Sequence, residues 1–106
     1  MALAIFREET ATGRTLSEFS LPGLPDRVSA RELVRTRVRE EVARHNASPS
    51  RRLDWEKQAD AAEAAFARNG FLLLVGDRQI EDLDTEIDLT GEPVISFVKL
   101  VPLVGG

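Results

Sequence analysis

Residues equipped for chemistry are few in this chain, and they lie in three places. His45 is the only histidine and there is no cysteine, which excludes a thiol nucleophile, a zinc ribbon and an iron–sulfur site. No Gly-x-Ser-x-Gly elbow accompanies His45, and its place at the end of a predicted helix suits a partner for the helix dipole better than a base. The acids Asp82, Asp84, Glu86 and Asp88 alternate at a spacing of two, as the start of a calcium loop does. Such a loop needs glycine at its sixth position and glutamate at its twelfth; counted from Asp82, those positions hold Ile87 and Pro93. Leu83, Ile87 and Leu89 between the acids describe instead a half-buried segment with a solvated face, and no metal ligand is assigned. The glycines at 13, 23, 70, 76 and 91 are isolated, so no phosphate-binding loop is present. No catalytic residue emerges, and the chain is not read as an enzyme.

The third place is the last pair of residues. Gly105 and Gly106 follow Pro102, Leu103 and Val104. Glycine has no Cβ, so a tail ending this way can thread a narrow channel and bring its carboxylate against a reacting centre. A glycine pair also stands at chain ends that merely fray, so the elements that precede it decide its weight.

Those elements begin with alternation around Leu3, Ile5 and Phe6. The Thr12-Gly13 turn and a second run through Leu16 and Phe19 follow, and together these predict a β-hairpin over residues 2–9 and 14–21. Pro22 and Pro25 then predict a break, because proline lacks the N–H that a ladder uses. Ser29 with Glu32 three residues on is a capping box, and Val28 and Leu33 are placed as a hydrophobic staple. Val34, Val38 and Val42 recur every four residues, so a helix is expected until Asn46 and Pro49 end it. A second helix is expected from about Asp54 to Asn69, with Trp55, Ala59, Ala62 and Phe66 on one stripe and Gly70 as its left-handed cap. The apolar run 71–75 reads as a buried strand, Arg78-Gln79-Ile80 as a short return strand and residues 94–100 as the last strand. The order β-β-α-(α)-β-β-β is that of an α+β domain with helix on one face of a mixed sheet.

Composition agrees with a single folded domain. The 106 residues are 42% hydrophobic and 30% charged, which is outside the range of disordered chains. The apolar stretch 94–104 is broken by Ser96, Lys99 and Pro102 and falls short of the ~20 residues that cross a bilayer. The first residues carry no signal-peptide pattern. A soluble cytoplasmic protein without a membrane partner is expected. Eight arginines lie between residues 27 and 52 against four acids from Asp26 on, whereas residues 77–92 hold seven acids and one arginine. With no interleaved aromatics for stacking and a net charge of −4, a solvated helix face with pairs such as Arg37–Glu41 is favoured over a nucleic-acid partner.

The glycine pair gains weight from three segments taken together. Thr10-Ala11-Thr12-Gly13-Arg14-Thr15 resembles the T-L-T-G-K-T turn of ubiquitin. Residues 72–82, L-L-L-V-G-D-R-Q-I-E-D, are similar to its L-I-F-A-G-K-Q-L-E-D with one residue inserted. Residues 94–106 resemble its closing strand and L-R-L-R-G-G tail. The likeness covers roughly residues 1–46 and 71–106, in the same order, with a capped helix between. It implies a ubiquitin-like β-grasp domain over residues 1–100, with 47–70 as an extra helical insertion and 101–106 as a flexible tail.

What the resemblance implies for function is a protein modifier, a substrate and a tag. An activating enzyme would use ATP and Mg²⁺, neither bound by this chain, to adenylate the carboxylate of Gly106. The acyl group would pass through thioesters to a lysine of a target, with Gly105 giving access. Pro102, Leu103 and Val104 would be read by the activating enzyme; a conjugating enzyme and a deconjugating protease are the further partners, and the free chain would be a monomer. Leu73 matches the centre of the family's partner-binding patch. Val98 and Leu100 match its last-strand members if the tails align without a gap, which turns Phe97 and Lys99 inward. A slip of one residue would instead turn Val98 and Leu100 inward and leave Phe97 and Val101 for contacts. The same residues are equally readable as core.

Several features depart from ubiquitin. Trp55 and Phe66 belong to the insertion and either cover the sheet or form a partner surface. Pro102 and Val104 replace the tail arginines, Asp77 stands at the main chain-linking lysine, and Lys57 and Lys99 are the only lysines. The arginine-rich, lysine-poor composition suits a high-GC bacterial genome, so by analogy the setting would be a bacterial conjugation operon of the kind implicated in antiviral defence. A β-grasp sulfur carrier ending in a thiocarboxylate and a non-conjugated binding module are the alternatives.

Overall fold

The computed structural model describes residues 1–46 and 54–100. The element order is β1 (Ala2–Thr10), β2 (Thr15–Leu24), β3 (Arg27–Ser29), α1 (Ala30–His45), α2 (Trp55–Ala67), β4 (Phe71–Val75), β5 (Arg78–Ile80), β6 (Glu86–Asp88) and β7 (Val94–Lys99). The main sheet has the order β2-β1-β7-β4-β5. β1 and β7 run parallel at its centre and the other pairs are antiparallel. It is a mixed α+β arrangement with both helices on one face of the sheet, compatible with a β-grasp. Among the described residues no helix is long and apolar enough to cross a membrane.

The first hairpin forms where alternation and the glycine place it. Gly13 sits at φ +90° in the turn, a backbone conformation that L side chains rarely adopt. The predicted break after Leu21 does not occur: β2 continues through Pro22 to Leu24. β2 is an outer strand, where a missing N–H is tolerated. The pairing shifts between Ala4↔Leu21 and Ala2↔Leu24, a bulge that takes up the extra residue with Gly23 at φ +75°.

α1 begins as its cap predicts, with the Ser29 hydroxyl accepting from the Glu32 N–H at 3.1 Å, and ends at His45 with Asn46 as C-cap. Ala30, Leu33 and Val34 face the sheet, while Val38 and Val42 meet Ala59 and Trp55 of α2. α2 starts at Asp54, whose carboxylate accepts from the N–H groups of Glu56 and Lys57. Its end differs from expectation. Asn69, at φ +60°, takes the left-handed position, and the Asn69 and Gly70 N–H groups reach the carbonyls of Phe66 and Ala65, the Schellman pattern. Gly70 is needed for space: a Cβ there would lie 3.2 Å from the Ala65 carbonyl oxygen. Gly70→Ala should therefore destabilise by about 1 kcal/mol, read as a fall in the urea midpoint at unchanged slope.

All five phenylalanines form one row across the buried face. Phe19, Phe6, Phe97, Phe71 and Phe66 follow one another with ring centroids 5.3, 6.2, 5.9 and 5.7 Å apart. The row starts on β2 and ends on α2, so Phe66 covers the sheet. Trp55 packs against α1 with the Arg35 and Arg39 guanidinium groups over its ring.

The arginine-rich helix is largely spoken for within the fold. Arg31 and Arg35 both reach Glu63 of α2, Arg35 also reaches Asp60, and Arg31 reaches Asp84. The carboxylates hold both guanidinium groups above their ordinary range. Arg37 and Glu41 form the expected pair at 2.7 Å.

β3 and β6 make a two-stranded ladder that the residue pattern does not announce. Each is three residues long and its partner is some sixty positions away, so no local periodicity marks either. The ladder buries Ile87 and Leu89 in the core and leaves the acids outside. Asp82 accepts from the Asp84 N–H, Glu86 pairs with Arg27, and Asp88 accepts from the Thr90 hydroxyl at 2.6 Å and the Thr90 N–H at 2.8 Å. Those two bonds hold the Asp88 carboxyl below its ordinary 3.8. The stabilisation they bring is present above that ordinary value and lost as pH falls through the lowered one. Thr90→Val, which keeps the N–H and removes the hydroxyl, should move the Asp88 titration upward in a carboxyl-carbon NMR titration.

Candidate functional site

Register decides which apolar residues the sheet presents outward. In β4 and β7 the pairs are Leu73↔Phe97, Leu72↔Val98 and Leu74↔Ser96, and paired residues share a face. Phe97 belongs to the core, so Leu73 points to the helices with it, alongside Ile80, its partner in β5. Leu73 is 0% exposed. Its assignment to a partner-binding patch is therefore corrected: the side chain is a central core member and offers no surface.

The residues on either side of it take its place. Leu72 and Leu74 project to the open face with Val98, and the pair Ile5↔Val94 extends that face across β1 and β7. None of the five belongs to the core cluster beneath the helices, and Leu72, Leu74, Ile5 and Val94 are half-buried. Val98 keeps its place on this face but is only 9% exposed, because it lies in the central strand between Leu72 and Glu9. Ser96 at 5% is screened in the same way by Leu74 and Arg7. The face ends on the β1–β2 side at Arg7, which pairs with Glu18 at 2.7 Å. An apolar surface with a charged margin is the kind that partner proteins cover.

The sequence does not reveal which way Leu73 faces, because every position from 71 to 75 is apolar. A strand with both faces apolar carries no period-2 signal, and one residue of insertion in the likeness to ubiquitin exchanges the two faces. The usable signal lay in β7, where Lys99 marks the end of one face.

Of the two registers left open for β7, the structure has the one that turns Phe97 and Lys99 toward the helices. Lys99 lies at the very end of the strand, where its Nζ meets Glu8 at 3.2 Å. Glu8 also pairs with Arg37 at 3.0 Å, and the Arg37 guanidinium lies over the Phe97 ring. A lysine facing inward thus costs little, since its head emerges at the sheet end among opposite charge. The strand is held there on both sides, by Thr10↔Lys99 and Phe71↔Lys99. The Leu100 N–H then donates to the Gly70 carbonyl at 3.3 Å.

Leu100, 36% exposed, is the last described residue. Pro102, Leu103, Val104, Gly105 and Gly106 lie outside the described residues, so the structure brings only Val98 and Leu100 of the expected site to one end of one strand. Among the described residues no group of three or more His, Asp or Glu side chains is placed to hold a metal ion. No protein-family model matches the chain, and neither a curated protein nor a solved structure matches it.

Proposed function

We propose that the chain is a ubiquitin-like modifier on a β-grasp fold, activated at Gly106 and joined through it to an amine of a target protein. The observation that carries the reading is the sheet order, with the first and last strands parallel at the centre and the helices on one face. In this arrangement the chain beyond Leu100 starts from the middle strand, beside an uncovered apolar face. Two of the three ubiquitin-like segments add support, because they fall on the β1–β2 turn and on β4–β5.

The chemistry explains why a chain in which no catalytic residue is assigned suits this role. A carboxylate resists attack by an amine, since its charge repels the nucleophile and oxide leaves poorly. ATP, held with Mg²⁺ by an activating enzyme, would turn the Gly106 carboxylate into an acyl adenylate and release pyrophosphate. A cysteine thiol of the enzyme would then displace AMP, and a target lysine amine would displace the thiol. The chain's own contribution is recognition and delivery. Six residues span at most ~20 Å when extended, so an enzyme that takes hold of Gly106 must seat itself close to Leu100. Leu72 and Val98 stand next to that point on the open face.

A tryptic mass-spectrometric search in the native host tests the reading. Lys99 is the last cleavable residue, so conjugation leaves Leu-Val-Pro-Leu-Val-Gly-Gly on a target lysine, and the same digest reads whether residue 106 ends the chain. An intact mass with one terminal oxygen replaced by sulfur would favour a sulfur carrier instead. Neither signal in cells that express the protein would favour a non-conjugated binding module.

A further inference from the structure

The largest fully buried side chains all lie outside α2. Phe6, Leu33, Val34, Leu73, Leu89 and Ile95 fill the core between the sheet and α1, whereas the one buried residue of α2 is Ala59. Ala59 belongs to a separate small cluster with Val38 and Val42 of α1, rimmed by Trp55 and Ala62. Phe66 reaches the Phe71 ring from a half-buried position. An alanine gives up little apolar area when it docks, and a helix of 13 residues is marginal when it stands alone. The sheet and α1 thus close their core without α2, while α2 depends on them.

Charge holds α2 in place. Glu63 accepts from Arg31 at 3.1 Å and from Arg35 at 2.7 Å, and Asp60 accepts from Arg35 at 2.9 Å. The Arg35 and Glu63 side chains are 19% and 22% exposed, so salt screens their attraction less than that of an open surface pair. Both cationic partners of Glu63 lie on α1. Arg31 has a second partner in Asp84, outside α2, and so would not stand bare if α2 left. The corner behind α2 reaches further. The Gly70 N–H donates to the Ala65 carbonyl at 2.8 Å, and the Gly70 carbonyl accepts from the Leu100 N–H at 3.3 Å. Gly70 is therefore tied on one side to the last turn of α2 and on the other to the point where the chain leaves β7.

We propose that α2 is a latched cover: it opens from α1 as a unit while the sheet and α1 stay folded, Glu63 is the latch, and opening frees the Leu100 end of β7. Segments that open below the global unfolding free energy are those with few buried apolar contacts, and α2 has one fully buried alanine. Opening bares Val38 and Val42 on α1. The device is a property of the fold; only its use, to hold or free the segment that leads to Gly106, rests on the proposed function.

The test is native-state amide hydrogen exchange on the full chain, read by NMR. Relative to unstructured rates, the amides of residues 62–66 should exchange at least about thirtyfold faster than those of Phe6, Leu73 and Ile95. Glu63→Gln keeps the shape and removes the charge; it should speed exchange in α2 by a further factor of about ten and leave the three sheet amides within about twofold. Glu86→Gln, which breaks the Arg27 pair away from α2, should leave the α2 rates unchanged. Ala59→Glu sets a charge against Val38 and Val42 and should hold the cover open. Trp55 is the only tryptophan in a chain without tyrosine, so its emission should move to that of a hydrated indole. The Gly70 and Leu100 amide signals should move with it while the sheet signals stay dispersed. Exchange of α2 and the sheet at one common rate, a Glu63→Gln effect equal on both, an unmoved Leu100 signal in Ala59→Glu, or loss of the sheet in that variant would each overturn the proposal. None of these readouts involves conjugation, so they stand or fall apart from the role of Gly106.

Discussion

Leu73→Arg should abolish folding, and Leu73→Ala should lower the unfolding free energy by about 2–5 kcal/mol. Leu73 is fully buried, with Phe97 opposite it on one neighbouring strand and Ile80 on the other. Truncation there leaves a cavity among groups that belong to two strands and cannot close independently. A domain of this length has about 5–15 kcal/mol in all, so the alanine variant loses a large share of its stability. An arginine would place an unpaired charge in the sheet core, which exceeds what remains. Leu72→Arg and Leu74→Arg, at the half-buried positions to either side, should cost only about 1 kcal/mol. On the proposed reading, these two weaken partner binding. Urea unfolding of the alanine variant and the three arginine variants reads the stabilities in one series. A stable Leu73→Arg protein beside unfolded Leu72→Arg and Leu74→Arg would mean that β4 is turned by one residue.

The second large effect is functional. On the proposed reading, deleting Gly106 should remove conjugation completely, and the melt should stay unchanged because the described core ends at Lys99 and Leu100. The new terminal carboxylate would lie one residue, about 3.5 Å, short of its place. A glycine with no Cβ can still fill a narrow channel there, but the acyl carbon no longer reaches the reacting centre, and a 1 Å error already lowers rates severely. The readout is disappearance of the Leu-Val-Pro-Leu-Val-Gly-Gly remnant from target lysines in cells expressing the shortened chain. Retained biological activity with no remnant in either strain would assign the protein to the binding-module class. Leu72→Arg separates recognition from delivery: it should reduce conjugation with Gly106 intact.

Local signals identified the elements whose causes are local. Ser29 and Glu32 mark the start of α1 because a cap satisfies amides within its own turn, and Asp54 does the same for α2. Gly13 marks the hairpin because its turn requires positive φ. The α+β class followed from these, as did the pair Arg37–Glu41, which helix periodicity alone brings together. The left-handed residue at the end of α2 is Asn69, one position before the expected Gly70. Asn69 and Gly70 both suit a helix end, and the choice rests on how closely Gly70 must approach Ala65.

What needed the tertiary structure was everything decided across long sequence separations. The β3–β6 ladder joins segments some sixty residues apart, each too short to show a period. Pro22 was acceptable within β2 only because β2 proved to be the outer strand, a property of the sheet order and of no residue in β2. The outward face of β4 depended on which of five consecutive apolar side chains stood opposite Phe97. Residue types by themselves excluded thiol chemistry, since there is no cysteine, and set a glycine pair at positions 105 and 106 behind an apolar segment. The fold decided which apolar residues are surface and which are core, because strand register is set by pairing energy summed over the whole sheet, and a step of one residue exchanges the two faces.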